Sequence, residues 1–345
     1  MGAGKLPAPI FITERSELGK GPEPRFRAFG LLRTLPVKER EIVLAKRKRD
    51  ANVSMAHRPL RRLAPIFILP TFAAFCIGFI WPFIQGIYLS FCNFNTPKDA
   101  TWKGIENYVK VFSDAGFLNA FKNTTVFAVV SIVLINVVAF TIAYVLTQKI
   151  RGANLFRTVF FMPNLIGGVV LGYIWSMIFD GFLDMYNTSI LMDTSWGFWG
   201  LIILMCWQQI GYMMIIYIAG LQAVPEDMLE AARIDGATKW QTLFHVTIPN
   251  VMPSITICMF LSLTNGFKLF DQNLALTGGL PFIINPDGSS VHTTEMLALN
   301  IYNTFYGQNS SSRGVAQAKA VLFFVLVATI GLIQLGYTRK KEVQQ

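Results

Sequence analysis

Amides, hydroxyls, aromatic rings and one pair of opposite charges are the residues of this chain that could act chemically. The apolar run 252–276 holds several of them. At 100° per residue, Ser262, Asn265 and Leu269 share one helical face, and Thr264, Lys268, Asp271 and Gln272 share a neighbouring one. These groups donate and accept hydrogen bonds, which suits binding of a polar solute rather than bond cleavage. Lys268 and Asp271 are three residues apart and opposite in charge. Ionisable groups in an apolar helix point to function, the other reading being a structural pair that faces a neighbouring subunit. Tyr173, Trp175 and Trp207 offer ring faces for stacking, or else face lipid or the core. His57, His245 and His292 are scattered. Cys76, Cys92, Cys206 and Cys258 lack metal-ligand spacing and read as small hydrophobes. No G-x-x-x-x-G-K-[ST] is present, and Gly2-Ala3-Gly4-Lys5 lacks both its spacing and its strand, so the chain is expected to hydrolyse no ATP itself.

The elements that position these residues are membrane spans. Of 345 residues, 53% are apolar and 14% charged, and 29 are phenylalanine; soluble domains carry about 25% charged residues. Apolar runs at 63–91, 125–147, 159–179, 198–221, 252–276 and 316–336 each suffice to cross a bilayer, which takes about 20 residues. Pro70 and Pro82 predict kinks in the first. The fold class expected is an all-α polytopic membrane protein with six transmembrane helices in residues 63–345. It follows a basic tail over residues 1–62, partly disordered, with a charged helix over 36–55. The tail holds 15 Lys/Arg against 6 Asp/Glu, so most of the net charge of +10 lies there, immediately before the first span. This placement predicts attraction to anionic lipids on the cytoplasmic side rather than nucleic-acid binding, and the run Lys46-Arg47-Lys48-Arg49 is its densest part. The first apolar run is too long for a cleavable signal peptide. Six spans put both termini on one side. Lys149, Arg151, Arg157 and the run Arg339-Lys340-Lys341 fall there too, which makes that side cytoplasmic.

One polar segment, 225–249, is better punctuated than any other. Pro225 suits a first helical position, with Glu226 and Asp227 at the positive helix end. Asp235-Gly236 supplies a stop with a left-handed glycine. Thr238-Lys239-Trp240-Gln241 reads as a capping box for a second short helix, which Ile248-Pro249 closes. Ala231 and Ala232 give the first helix a flat face for close approach by another protein, and Glu230 and Arg233 on the same helix can make polar contacts beside it.

Glu230-Ala231-Ala232, Asp235-Gly236-Ala237 and the closing Ile248-Pro249 resemble the EAA loop of ABC importer permeases. The resemblance implies the type I permease fold, with cytoplasmic coupling helices that dock on an ATPase through Glu230, Ala231, Ala232, Arg233, Asp235 and Gly236. From about the second span onward the chain is similar to the maltose-type first permease of sugar importers. Thr277-Gly278-Gly279-Leu280-Pro281, Thr294-Glu295 and Ala298-Leu299-Asn300-Ile301-Tyr302 carry this likeness. Leu280 replaces the usual third glycine and residues 282–291 form an insert. Carried over residue by residue, the family's sugar-contacting positions fall on Tyr212, Ser262, Gly266 and Leu269. Gly266 and Leu269 stand where the maltose permease has amides, and Gln208, one turn before Tyr212, could supply replacement bonds. Asn265, Lys268 and Asp271 complete the expected substrate-binding set, with Lys268 as the one intramembrane cation. The implied assembly is a heterodimer with a second permease, two ATPase subunits that bind the ATP and Mg, and an external sugar-binding protein, in a bacterial cytoplasmic membrane. This chain itself is expected to need neither cofactor nor metal. A permease for glycerol phosphate or another polar solute is the alternative, and an ATP-independent secondary transporter a further one; which sugar is carried is not legible.

Overall fold

A computed structural model of the chain describes Ile66 and residues 68–148, 150–286, 288, 290–307 and 312–339. The tail 1–62, with its expected helix and Lys46–Arg49 run, lies outside the described residues, as do Lys149, Lys340 and Lys341. By its contacts the chain divides into two units, Met1–Phe79 and Ile80–Gln345. In the first, the rings of Phe75 and Phe79 stack with centroids 5.2 Å apart.

Six helices among the described residues are long and apolar enough to span a membrane. They are α1 (Ile68–Ser90), α3 (Ala115–Leu146), α5 (Gly168–Leu183), α6 (Thr194–Gln222), α8 (Lys239–Phe267) and α11 (Arg313–Arg339). Short helices separate them: α2 (Glu106–Ser113), α4 (Ala153–Phe161), α7 (Glu226–Ile234), α9 (Asp271–Leu276) and α10 (Leu297–Tyr306). Two small antiparallel hairpins complete the fold, β1–β2 (Cys92–Asn93 with Thr101–Trp102) and β3–β4 (Phe282–Ile284 with Ser290–His292). The packed centre lies where α3, α6 and α8 meet. There Ile135, Ala139 and Ala143 face Leu204, Met213 and Tyr217, with Val251 and Cys258 closing the third side.

The six-span expectation holds, but several boundaries move. Helix α3 starts ten residues before the expected 125, because Asp114 caps it, accepting from the Gly116 and Phe117 N–H groups at 2.8 and 3.3 Å. The third apolar run is not one helix from 159. Helix α4 ends at Phe161, Met162–Leu165 form a 3₁₀ turn around Pro163, Ile166 and Gly167 are extended, and α5 starts at Gly168. Hydropathy counts apolar residues and is blind to this change of direction. The fifth run breaks as well: α8 ends at Phe267 and α9 begins at Asp271.

A third correction concerns Ile248-Pro249, which was expected to close the second helix of the 225–249 segment. The helix instead continues through it. A π-turn over Leu243–Thr247 widens the spiral just ahead of Pro249, and α8 runs unbroken to Phe267. A wide turn leaves room for a ring that lacks the N–H and crowds the preceding carbonyls. The same device appears in α1, where a π-turn over Cys76–Ile80 precedes Pro82.

Candidate functional site

The two helix breaks, 162–167 and 268–270, face each other across α6, and a cluster of side-chain amides joins them. Gln208 on α6 is buried. Its Nε2 donates to the free carbonyl of Ile166 at 3.1 Å, and its Oε1 accepts from Gln272 Nε2 on α9 at 2.7 Å. One residue on, Gln209 Oε1 accepts from Asn265 Nδ2 on α8 at 3.2 Å. Gly168 brings the start of α5 so close that an added Cβ would touch Asp271 and Gln272. Carbonyls freed by broken helices need partners inside a membrane, and such breaks are where transporters place solute sites.

The expected substrate set is distributed unevenly around this junction. Gln208 and Asn265 belong to it, and Tyr212 lies one turn along α6, half-buried against the core. Ser262 is 1% exposed and turned into the α3–α6–α8 contact. Its Oγ donates to the Cys258 carbonyl at 2.7 Å and accepts from Asn136 Nδ2 at 3.1 Å, while Asn136 Oδ1 accepts from the Tyr217 hydroxyl at 2.6 Å. Gly266 packs on Ala128, and Leu269 is buried in the core. Lys268 and Asp271 are both exposed; Lys268 caps the end of α8 inside the break and Asp271 opens α9, so their spacing no longer puts them on one helical face. Neither takes part in the two ion pairs found among the described residues. Trp175 and Trp207 contact each other edge to face at 5.4 Å, and Tyr173 is exposed.

Gln209 and the Ile166 carbonyl were not anticipated, nor was the use of Gln272 as a bridge. Pro163-Asn164 and Gly167-Gly168 inside an apolar run are the signal that could have marked the break.

Lys268 was expected to be the one intramembrane cation, and Lys319 on α11 corrects this. Its Nζ lies 2.6 Å from Asp114 Oδ2 and donates to Asn300 Oδ1 at 2.8 Å and Thr304 Oγ1 at 2.7 Å, with 1% of the side chain exposed. Glu295 is also buried, accepting from Asn300 Nδ2 at 2.7 Å and Asn303 Nδ2 at 2.6 Å. These bonds fix the segment between α9 and α11, which the sequence presented as a long polar loop.

The 225–249 segment is an elbow. Pro225 is the residue just before α7 rather than its first. At the far end, the Gly236 N–H bonds the Arg233 carbonyl and the Ala237 N–H bonds the Ala232 carbonyl, at 3.1 and 3.0 Å. With Gly236 at φ +75°, this is a Schellman stop. Thr238 and Gln241 then form the reciprocal capping box that opens α8. Glu230, Ala231, Arg233 and Asp235 are exposed, and Ile234 is 86% exposed. The two alanines do not share one open face. Ala232 turns inward and lines a hollow of about 470 Å³ with Gln241, His245 and Val246, because successive helical residues point about 100° apart. Trp240 and Phe244 stack at 6.1 Å and stay exposed.

The family model of the binding-protein-dependent transport system inner membrane component matches residues 151–341, which take in both the junction and the elbow. The chain belongs to this family. A starch degradation products transport system permease protein, AmyD of Thermoanaerobacterium thermosulfurigenes, is 42% identical over 290 residues, covering 81% of this chain and 94% of that protein. The multiple sugar-binding transport system permease protein MsmF of Streptococcus mutans is 31% identical, covering 77% of this chain and 92% of its own length. Among solved structures, a bacterial ABC transporter involved in the import of alginate superposes with a TM-score of 0.68 at 20% identity, over 82% of this chain and 98% of that one. The fold is that of an ABC importer permease, a multi-pass membrane protein.

Proposed function

We propose that this chain is one membrane half of an ABC importer for a neutral carbohydrate, a short glucan from starch breakdown. The full assembly is a heterodimer with a second permease, carrying two ATPase subunits inside and a sugar-binding protein outside. The amide cluster at the helix breaks carries this reading. Gln208, Gln209, Asn265 and Gln272 present uncharged donors and acceptors, which match sugar hydroxyls and do not demand a charge on the solute. The names of the two relatives, one for starch degradation products and one for multiple sugars, support the same class. A glycerol phosphate cargo would need a cation beside the amides; the buried Lys319 is already held by Asp114, and Lys268 at the 268–270 break is the group that would have to serve.

In this reading residues 63–345 form the permease domain, with both termini, the elbow and the 149–157 turn in the cytoplasm. ATP-driven closure of the ATPases pulls on α7 through its exposed Glu230, Ala231, Arg233 and Ile234. The Schellman stop and capping box make α7 and α8 turn together. Helix α8 then carries Asn265 relative to Gln209, which opens the junction to one side and closes it to the other. Tyr212 supplies the ring face beside the amides.

The test is uptake into vesicles that contain the complete complex and its binding protein. ATP-dependent accumulation of maltotriose, with none of glycerol 3-phosphate, is expected. Uptake of glycerol 3-phosphate alone, or uptake driven by an ion gradient without ATP, would overturn the proposal.

A further inference from the structure

Helix α9 has six residues, too few for a helix to hold itself in place in isolation. It nevertheless carries Gln272, the bridge to Gln208. The neighbouring side chain, Asn273, is fully buried and points into the segment between α9 and α11. Its Nδ2 donates to the Thr294 carbonyl at 3.0 Å and to Thr277 Oγ1 at 2.9 Å, and its Oδ1 accepts from the Met296 N–H at 2.9 Å. The backbone carbonyl of Asn273 accepts from the Gly278 N–H at 2.8 Å. One residue thus ties α9 to both ends of the loop that follows it.

That loop is itself anchored. Asn123 on α3 donates to the Thr293 carbonyl at 2.6 Å, and the Leu297 N–H donates to Thr124 Oγ1 at 2.8 Å. Glu295 is bonded to Asn300, which Lys319 holds in turn. A continuous run of bonds therefore leads from Lys319 through Asn300, Glu295 and its neighbour Met296 to Asn273. Gln272, the preceding residue, continues it to Gln208 and the Ile166 carbonyl.

We infer that Asn273 is a positioning residue for the solute pocket: it orients α9 so that the Gln272 amide meets Gln208, and it passes movement of the 277–306 segment to the junction. This rests on the reading that the amide cluster is the pocket. Gly168 and Gly172 of α5 pack against Gln272 and Ala275, so a shift of α9 also reaches the start of α5 on the other side of the junction. A bond network alone does not establish coupling, and two measurements decide it.

The first uses the complete complex in vesicles, with maltotriose delivered per ATP hydrolysed as the readout. Misfolding lowers both quantities, whereas loss of positioning lowers their ratio. Asn273→Leu and Gln272→Leu are each expected to lower the ratio about tenfold, and the double variant no further, because Asn273 acts through Gln272. Asn273→Asp is isosteric, keeps the acceptor for Met296 and loses the donated bonds; a drop of about threefold is expected. The second measurement needs no sugar. Hydrogen exchange of the assembled complex should quicken about tenfold over 162–170 in Asn273→Leu, although that segment is remote in sequence. An unchanged ratio in both Asn273 variants, a further loss in the double variant, or unaltered exchange over 162–170 would each overturn the inference. If the wild-type complex moves no maltotriose, the proposed cargo fails, and the exchange measurement still decides the role of Asn273.

Discussion

The elbow at 225–249 and the junction around Gln208 both interrupt long apolar helices, on opposite physical terms. In the elbow every determining bond is local. Gly236 bonds three residues back, Ala237 five back, and Thr238 and Gln241 bond each other. In the junction every determining bond is remote in sequence: Gln208 reaches Ile166 and Gln272, 42 and 64 residues away, and Asn265 reaches Gln209, 56 away. The elbow can therefore keep its shape under the pull proposed above. The junction has a shape only while its helices stay in register, which is what the proposed pocket would need.

Two glycines sharpen this contrast under the same substitution. A Cβ on Gly211 of α6 would collide with the backbone carbonyl of Phe160 at the end of α4, and backbone cannot move aside as a side chain can. Gly211→Ala should therefore displace α4 and the break behind it, costing about 3 kcal/mol as overpacking, with transport lost and the thermal unfolding midpoint lowered. A wild-type midpoint would show that α4 and α6 are not locked here. Lys319→Met should cost nearly as much, roughly 3 kcal/mol, because it removes a buried cation and leaves Asp114, Asn300 and Thr304 without it. If its midpoint matched wild type, the segment between α9 and α11 would be held by something other than the Lys319 bonds.

Smaller effects separate the two regions further. Gln208→Leu removes two hydrogen bonds at the junction and strands the Ile166 carbonyl, about 2 kcal/mol, so transport should fall at least tenfold while ATPase copurification stays intact. Normal uptake would place the pocket elsewhere. Gly236→Ala meets open space, and its cost is only the left-handed backbone, about 1 kcal/mol. ATPase copurification should weaken a few-fold, and Gly236→Asn should weaken it less, since asparagine tolerates that conformation. Equal copurification by Gly236→Ala and wild type would mean that the elbow angle does not matter for docking.

How much could be read in advance follows the same division. The Schellman glycine, the capping box and the six apolar runs rest on neighbours in sequence, so residue types at short spacing specified them. The inward turn of Ala232 to a hollow, and the passage of α8 through Pro249 by way of a π-turn, were decided only in the folded chain. At the junction, Gln208 and Asn265 were recognisable as polar residues in apolar runs, but their partners were not. Lys319 escaped notice for a related reason: one cation in an apolar run gives no sign of Asp114, more than two hundred residues earlier.

The amino-acid sequence by itself marked out the elbow and the six membrane-length helices of the described residues, because hydropathy and capping act over one to a few helical turns. Only the tertiary structure decided which polar groups meet. A carbonyl freed by a break at Pro163, or an ammonium buried in α11, must find a partner in a low-dielectric interior, and the helix that supplies it is chosen by packing rather than by distance along the chain.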